Sequence, residues 1–218
     1  ALETGNTDGL DDEQRQVVEM CHGYLEDLEN EARGEGEREL EVWREAKLSI
    51  CGGLTFGTLD YALFNRRLAR ADLVDFKMGR RAVPDAEVNP QVQAYVLGLF
   101  EAFPGIESIT AHVLLPRRDE VSTATYSRAD VPRLRLRIST IVARCECTEP
   151  ELRPTDNCLW CARQATCPAL HRHALTIGQR LTDYRLEGET PPLHLRMAGK
   201  AAYWLVFPPE GAGWPPLV

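Results

Sequence analysis

From Asp11 to about Ala32 the apolar residues recur at helical intervals. Val17, Cys21, Tyr24 and Leu28 fall at i, i+4, i+7 and i+11, with Met20 and Leu25 beside them. Asp11 or Asp12 caps the start, and Gly34 and Gly36 end the helix within an acidic run. Glu39 to Ile50 leads into the first strand. Two further runs, G-T-L-D-Y-A-L-F from Gly57 and L-V-D-F-K-M-G-R from Leu73, alternate apolar and polar residues as half-buried strands do. Asn89 then caps a helix with Pro90 in its first turn; Val92, Val96, Leu99 and Phe103 form its apolar stripe, and Pro104-Gly105 ends it. Ile109 to Leu115 and Val121 to Tyr126 read as a hairpin turning through Pro116-Arg117-Arg118-Asp119. A last helix, from about Arg128 to Ala143, sets Val131, Leu134, Ile138 and Ile141 on one side. The pattern predicts an α/β fold with a central mixed β-sheet flanked by helices.

The polar positions of two of these strands carry the chemistry. Asp75 and Lys77 are two residues apart, so a strand sets them on one face with Leu73, while Val74, Phe76 and Met78 take the other. In the preceding run Thr58, Asp60 and Ala62 are expected to share a face. If the two runs pair, two carboxylates and one lysine converge. Two carboxylates make a hard oxygen site for Mg²⁺ or Mn²⁺. A lysine beside them orients or polarises the attacking water, which is the equipment of metal-assisted phosphodiester hydrolysis. Gln91 and Tyr95 lie one helical turn apart and can face the same site, although by spacing alone Tyr95 also joins the Val92–Leu99 stripe.

This ordered set resembles the PD-(D/E)XK nuclease superfamily. More narrowly, it is similar to the RecB-like branch that includes the CRISPR-associated exonucleases and related phage proteins. The matching residues are Asp60 in G-T-L-D, Asp75 and Lys77 in D-F-K, and Gln91 with Tyr95 in Q-x-x-x-Y, and the likeness covers roughly residues 40 to 170. It implies a restriction-endonuclease-like core and a metal-dependent deoxyribonuclease, an exonuclease acting on DNA ends or single strands. Asp60 and Asp75 then hold Mg²⁺ or Mn²⁺, Lys77 positions the nucleophilic water, and Gln91 and Tyr95 lie against the substrate strand. Relatives often carry a glutamate just ahead of the first core strands, which makes Glu45 a further candidate metal ligand; a charged residue on a solvated strand edge explains it equally well. Two readings from other classes stay open. One is a catalytically inactive nuclease-fold protein that binds DNA or a partner. The other is a metal-stapled interaction protein of a phage or mobile element.

The net charge of −8 argues against a general nucleic-acid-binding surface. Its distribution reverses that reading. Residues 1–50 hold 15 acids and 5 bases, whereas the rest of the chain holds 18 acids and 20 bases. The acidity is therefore local, and the acidic N-terminal helix becomes a candidate surface for a protein partner. Basic clusters stand at Arg66, Arg67 and Arg70, at Arg80 and Arg81, at Arg117 and Arg118, and at Arg133, Arg135 and Arg137. Arg80 and Arg81 follow directly on the D-F-K strand and are the first candidates for phosphate contacts.

Of seven cysteines, Cys145, Cys147, Cys158, Cys161 and Cys167 are crowded together, while Cys21 and Cys51 lie apart. An odd total with C-x-x-C spacing favours metal ligation in a reducing compartment over disulfides. Cys158, Cys161 and Cys167 read C-x2-C-x5-C. In the RecB-like exonucleases this spacing supplies three ligands of a [4Fe–4S] cluster that staples the C-terminal segment to the core. Zn²⁺ is the competing assignment. The fourth ligand is open among Cys147, Cys145, Cys51, Cys21, His171 and His173. His112, within an apolar strand, reads as a core or edge histidine.

No apolar run approaches a membrane span and no basic-then-apolar leader is visible, so the expected location is the cytoplasm of a bacterial or phage-infected cell. The expected organisation is an acidic helical segment over 1–44, the nuclease-like core over 45–143, a cysteine-rich segment over 144–180 and a tail over 181–218. In the tail, Ala201 to Phe207 is a candidate strand and Trp204 a candidate core residue, while His194 has no assigned role.

Overall fold

The structure is a computed structural model that describes residues 8–34, 40–155, 158 and 161–186. The expected strand at Ala201–Phe207, Trp204 and His194 lie outside the described residues. The chain divides into two compact units, Ala1–Cys147 and Thr148–Val218.

The first unit runs α1 (Asp12–Gly34), β1 (Leu40–Ile50), β2 (Thr55–Asn65), β3 (Arg70–Phe76), α2 (Pro90–Ala102), β4 (Ser108–Leu115), β5 (Glu120–Ser127) and, after a 3-10 turn at Arg128–Asp130, α3 (Val131–Cys145). The five strands form one sheet in the order β1-β2-β3-β4-β5. β3 and β4 are parallel, and the other neighbours are antiparallel. A parallel pair cannot be closed by a tight turn, and α2 supplies the crossover. The expected α/β class, with a mixed sheet flanked by helices, is therefore borne out.

Apolar packing separates the two faces of the sheet. On one, Leu48, Ile50, Leu59, Leu73, Ile109 and Val113 bury against Val92, Val96, Leu99 and Phe100 of α2, with Leu134 and Ile138 of α3 in the same cluster. On the other, Tyr61, Leu63, Val74 and Leu114 bury with Cys21, Leu25 and Ala32 of α1. α2 is buried over most of its circumference, including Gln93, Tyr95 and Leu97, rather than along one stripe. Phe103 is its C-terminal cap residue. Ile141, expected among the buried residues of α3, is 37% exposed.

The expected alternation fails at one place. Leu59 and Ala62 both belong to the α2-side cluster, whereas Tyr61 and Leu63 belong to the α1 side. An unbroken strand puts residues three apart on opposite faces, so β2 changes phase at Asp60–Tyr61. The same slip occurs across the ladder, where Trp43 and Ala46 both pack toward α2. Glu45, between the pairs Arg44–Tyr61 and Ala46–Leu59, has φ 47°. The expected common face for Thr58, Asp60 and Ala62 is thus corrected: the backbone twists at Asp60, and Ala62 turns into the core.

His112 is buried between α1 and the sheet. Its Nδ1 lies 2.9 Å from the Tyr24 hydroxyl and its Nε2 lies 3.1 Å from Asp72 Oδ1. This matches a core histidine that fastens α1.

In the second unit, α4 (Pro168–Leu186) follows a 3-10 turn at Gln164–Thr166. The sequence pattern had not suggested this helix. Pro168 opens it, where a missing N–H leaves no bond unmade.

Candidate active site

Asp60 and Asp75 stand where β2 and β3 part. The ladder pairs Tyr61 with Val74, and the next register position beyond that pair is Asp60 opposite Asp75. There the side chain replaces the backbone: the Phe76 N–H donates to Asp60 Oδ2 at 2.8 Å. At this point a carboxylate takes a bond that a ladder carbonyl otherwise accepts.

Asp75 sits on the α2 side with Leu73, as the alternation predicts, and is 1% exposed. Its Oδ2 is 2.7 Å from Lys77 Nζ. That contact is an ion pair without hydrogen-bond alignment, because Oδ2 is buried with no hydrogen-bond partner. Beyond the end of β3, the Lys77 N–H donates to Leu114 O, which ties its backbone to β4.

Lys77 Nζ also donates to Gln91 Oε1 at 2.7 Å, and Gln91 Nε2 donates to the Tyr95 hydroxyl at 3.0 Å. Asp75, Lys77, Gln91 and Tyr95 therefore form one chain of polar contacts. Tyr95 meets both expectations, since its ring is in the core and its hydroxyl points into this chain. The helix that carries the last two residues is fixed at its start. Asn89 accepts from the N–H groups of Gln91 and Val92, and the Tyr126 hydroxyl donates to the carbonyls of Ala86 and Glu87.

Burial raises the Asp60 carboxyl above the ordinary aspartate range, and the charges of Asp75 and Glu45 push the same way. The Phe76 N–H and Lys77 oppose them. Glu45, itself exposed, is thus close enough to belong to the electrostatics of the site. A raised pKa means that the fold disfavours ionised Asp60. The resulting penalty is present at neutral pH and disappears as pH falls through the raised pKa. Asp60→Asn should therefore stabilise the metal-free protein at neutral pH, with the gain over wild type shrinking toward pH 4. Paired urea titrations in EDTA at the two pH values measure this, and an unchanged or lowered stability at neutral pH contradicts it.

The donor set suits a divalent cation. Two carboxylates converge, one has a buried oxygen with an unused lone pair, and an ammonium supplies positive charge beside it. Mg²⁺ characteristically takes one or two carboxylates and completes its shell with water and phosphate oxygens.

Sequence reasoning missed two residues here. Gly57 lies under Tyr95, and a Cβ built on it meets Tyr95 Cε1 at 2.5 Å. A glycine inside a strand pattern signals such a close approach. Glu13 of α1 receives both Arg80 and Arg117. Nothing in its local sequence sets it apart from the other acids of its segment.

Most of the basic clusters are engaged with the protein itself. Arg66 pairs with Glu41, Arg133 with Asp130 and Arg135 with Glu101, while Arg137 donates to Val88 O. Arg118 pairs with Glu120 and donates to Arg80 O. Arg81 is exposed.

Among the described residues, no three His, Cys, Asp or Glu side chains gather closely enough to hold a metal ion. Cys158, Cys161 and Cys167 are thus not assembled into a ligand set. The Thr155 N–H donates to Cys158 Sγ at 3.3 Å, and Cys161 is exposed. Cys145 and Cys147 are exposed as well. Cys21 is wholly buried among apolar side chains, and burial pushes its thiol up to about 11. Cys21 packs as a core residue. Cys51 is half-buried, and burial raises its thiol too.

A family model described as "Protein of unknown function (DUF2800)" matches residues 3–190. The chain belongs to the DUF2800 family. No curated protein matches this DUF2800 chain. A solved structure described as "Crystal structure of SSO0001" is similar to it at 18% identity, with a TM-score of 0.37, over 69% of this chain and 68% of that one. No helix among the described residues of the DUF2800 chain is long and apolar enough to cross a membrane.

Proposed function

We propose that this DUF2800 chain is a metal-dependent deoxyribonuclease with a PD-(D/E)XK-like core of the RecB-like branch, hydrolysing phosphodiester bonds at DNA ends or in single strands. The observation that carries this reading is the meeting of Asp60, Asp75 and Lys77 where β2 and β3 separate, with Gln91 and Tyr95 bonded in sequence to Lys77.

Asp60 and Asp75 would hold Mg²⁺ or Mn²⁺, and Glu45, whose charge acts on Asp60, is the further candidate ligand. The bound cation supplies Lewis acidity toward the phosphate and a more acidic water. Lys77, ion-paired with Asp75, would orient the attacking water and stabilise negative charge growing on the phosphate. Gln91 holds the Lys77 ammonium in place through its carbonyl, and Tyr95 fixes the orientation of the Gln91 amide. The half-buried Asp60 must lose its proton before it can ligate a cation, so activity should fall as pH drops through its raised pKa.

The direct test is incubation of purified protein with single- and double-stranded DNA in Mn²⁺ and in Mg²⁺. Cleavage that EDTA stops supports the nuclease reading. DNA binding without turnover in either metal replaces it with the non-catalytic one.

We also propose that Cys158, Cys161 and Cys167 bind one metal centre, [4Fe–4S] or Zn²⁺. The C-x2-C-x5-C spacing supports this. Such binding adds directly to folding. Protein purified without oxygen should therefore contain iron or zinc, and Cys161→Ser should lose that metal and lower the unfolding temperature. Metal-free, fully folded wild type ends the staple proposal.

A further inference from the structure

The arginines beyond β3 and β4 meet on a single carboxylate. Arg80 leaves the sheet three residues after Lys77, and Arg117 does so two residues after the end of β4. β3 and β4 are the parallel pair, with Asp75 opposite Val113 and Phe76 opposite Leu114, so both arginines emerge at the same end of the sheet as Lys77. Each donates to the same oxygen, Glu13 Oε1, near the start of α1. Arg118 steadies the arrangement, donating to the Arg80 carbonyl while pairing with Glu120.

Two guanidinium groups from different loops converging on one anionic oxygen are the arrangement that binds a phosphate. Three residues of chain span at most roughly 10 Å, so Arg80 lies within a nucleotide or two of a phosphate held at Lys77. Most of the clasp is open to solvent: the side chains of Arg80 and Glu13 are 68% and 49% exposed, and that of Arg117 is 23% exposed. An exchange of anions there needs no core rearrangement. An exposed ion pair contributes little to stability, about 0–1 kcal/mol, and a multiply charged strand competes well with a single carboxylate.

We propose that Arg80 and Arg117 form a phosphate clamp for the single DNA strand entering the active site, and that Glu13 is a built-in phosphate mimic that occupies the clamp until the strand displaces it. This rests on the nuclease reading for the identity of the ligand but not on turnover. α1 then acts as an electrostatic gate rather than only a cover for one face of the sheet. The acidity of this segment, which suggested a docking surface for a protein, acquires a role within the molecule at Glu13.

The test is binding of a fluorescein-labelled single-stranded oligonucleotide by anisotropy, in Ca²⁺ and across a series of salt concentrations. Glu13→Gln should tighten binding about 5- to 10-fold at low salt, as expected when one charge leaves a phosphate site. Arg80→Gln with Arg117→Gln should weaken binding and reduce the magnitude of the salt slope by about 0.7, the value for one phosphate contact on a single strand. Adding Glu13→Gln to the double arginine variant should then change nothing. Thermal unfolding of each variant shows that the fold is retained, and Arg117→Gln alone serves if the double variant does not fold. The clamp is overturned if Glu13→Gln leaves affinity unchanged or weakens it, or if its effect persists without the arginines. Failure of the nuclease reading shows differently, as tightened binding by Glu13→Gln in a protein that never cuts DNA with Mn²⁺.

Discussion

Asp75→Asn is expected to lower Mn²⁺-dependent DNA cleavage by about 10²–10³-fold or more, the effect of removing a group that acts on charge developing in the transition state. The side chain is almost wholly buried, and the isosteric Asn fits the same space. The fold should survive, because Asn removes a buried charge. Lys77→Met differs in an informative way. It leaves the Asp75 carboxylate buried without its partner, and breaking such a pair from one side costs about 3–5 kcal/mol. It should lose activity and stability together in EDTA, and added Mg²⁺ should restore part of the stability by replacing the missing positive charge. Cleavage assays and urea titrations with and without metal measure both. Asp75→Asn cutting DNA at the wild-type rate would rule out the proposed site.

Gly57→Ala is expected to damage the site from beneath. The new Cβ falls 2.5 Å from Tyr95 Cε1, 3.4 Å from Cδ1 and 3.5 Å from Cζ. Tyr95 is only 8% exposed and packs in the α2-side core, so its ring has little room to retreat. Overpacking of this kind costs about 1–3 kcal/mol. Displacing the ring also withdraws the hydroxyl that Gln91 binds, and Gln91 in turn holds Lys77. A displacement of about 1 Å can cost about 10²-fold in rate. A double-mutant cycle isolates the cause. In a Tyr95→Ala background, Gly57→Ala should cost little further stability or activity. Equal costs in both backgrounds would show that the Tyr95 contact is not the reason for the glycine.

Much of the site was legible because its residues are close in sequence and their spacing has one physical meaning. Asp75 and Lys77 share a strand face by the two-residue period, and Leu73 in the core with Val74 and Phe76 on the other side confirms that phase. Gln91 and Tyr95 are one turn apart, and they are hydrogen-bonded. Asp60 was found through its order in the motif, but its face was misjudged. Alternation assumes an unbroken pleat, and the left-handed φ at Glu45 lies on the neighbouring strand. No pattern within β2 itself records this change of phase.

By itself, the sequence determined the class of the fold and the places of β2 to β5 and the first three helices, and it singled out two carboxylates and a lysine as candidates for metal chemistry. These follow from local periodicity, which each segment carries whole. Tertiary structure alone decided that Asp60 meets the Phe76 N–H where two strands part, that Gly57 makes room for a ring 38 residues away, and that Glu13 receives arginines from two distant loops. Each is a contact between residues whose separation along the chain carries no signal. Their meeting depends on strand order, on the parallel pairing of β3 with β4 across α2, and on the face against which α1 packs. The same holds for Arg80. Its sequence neighbours mark it as a free cation beside the D-F-K strand, whereas the fold gives it a resident anion.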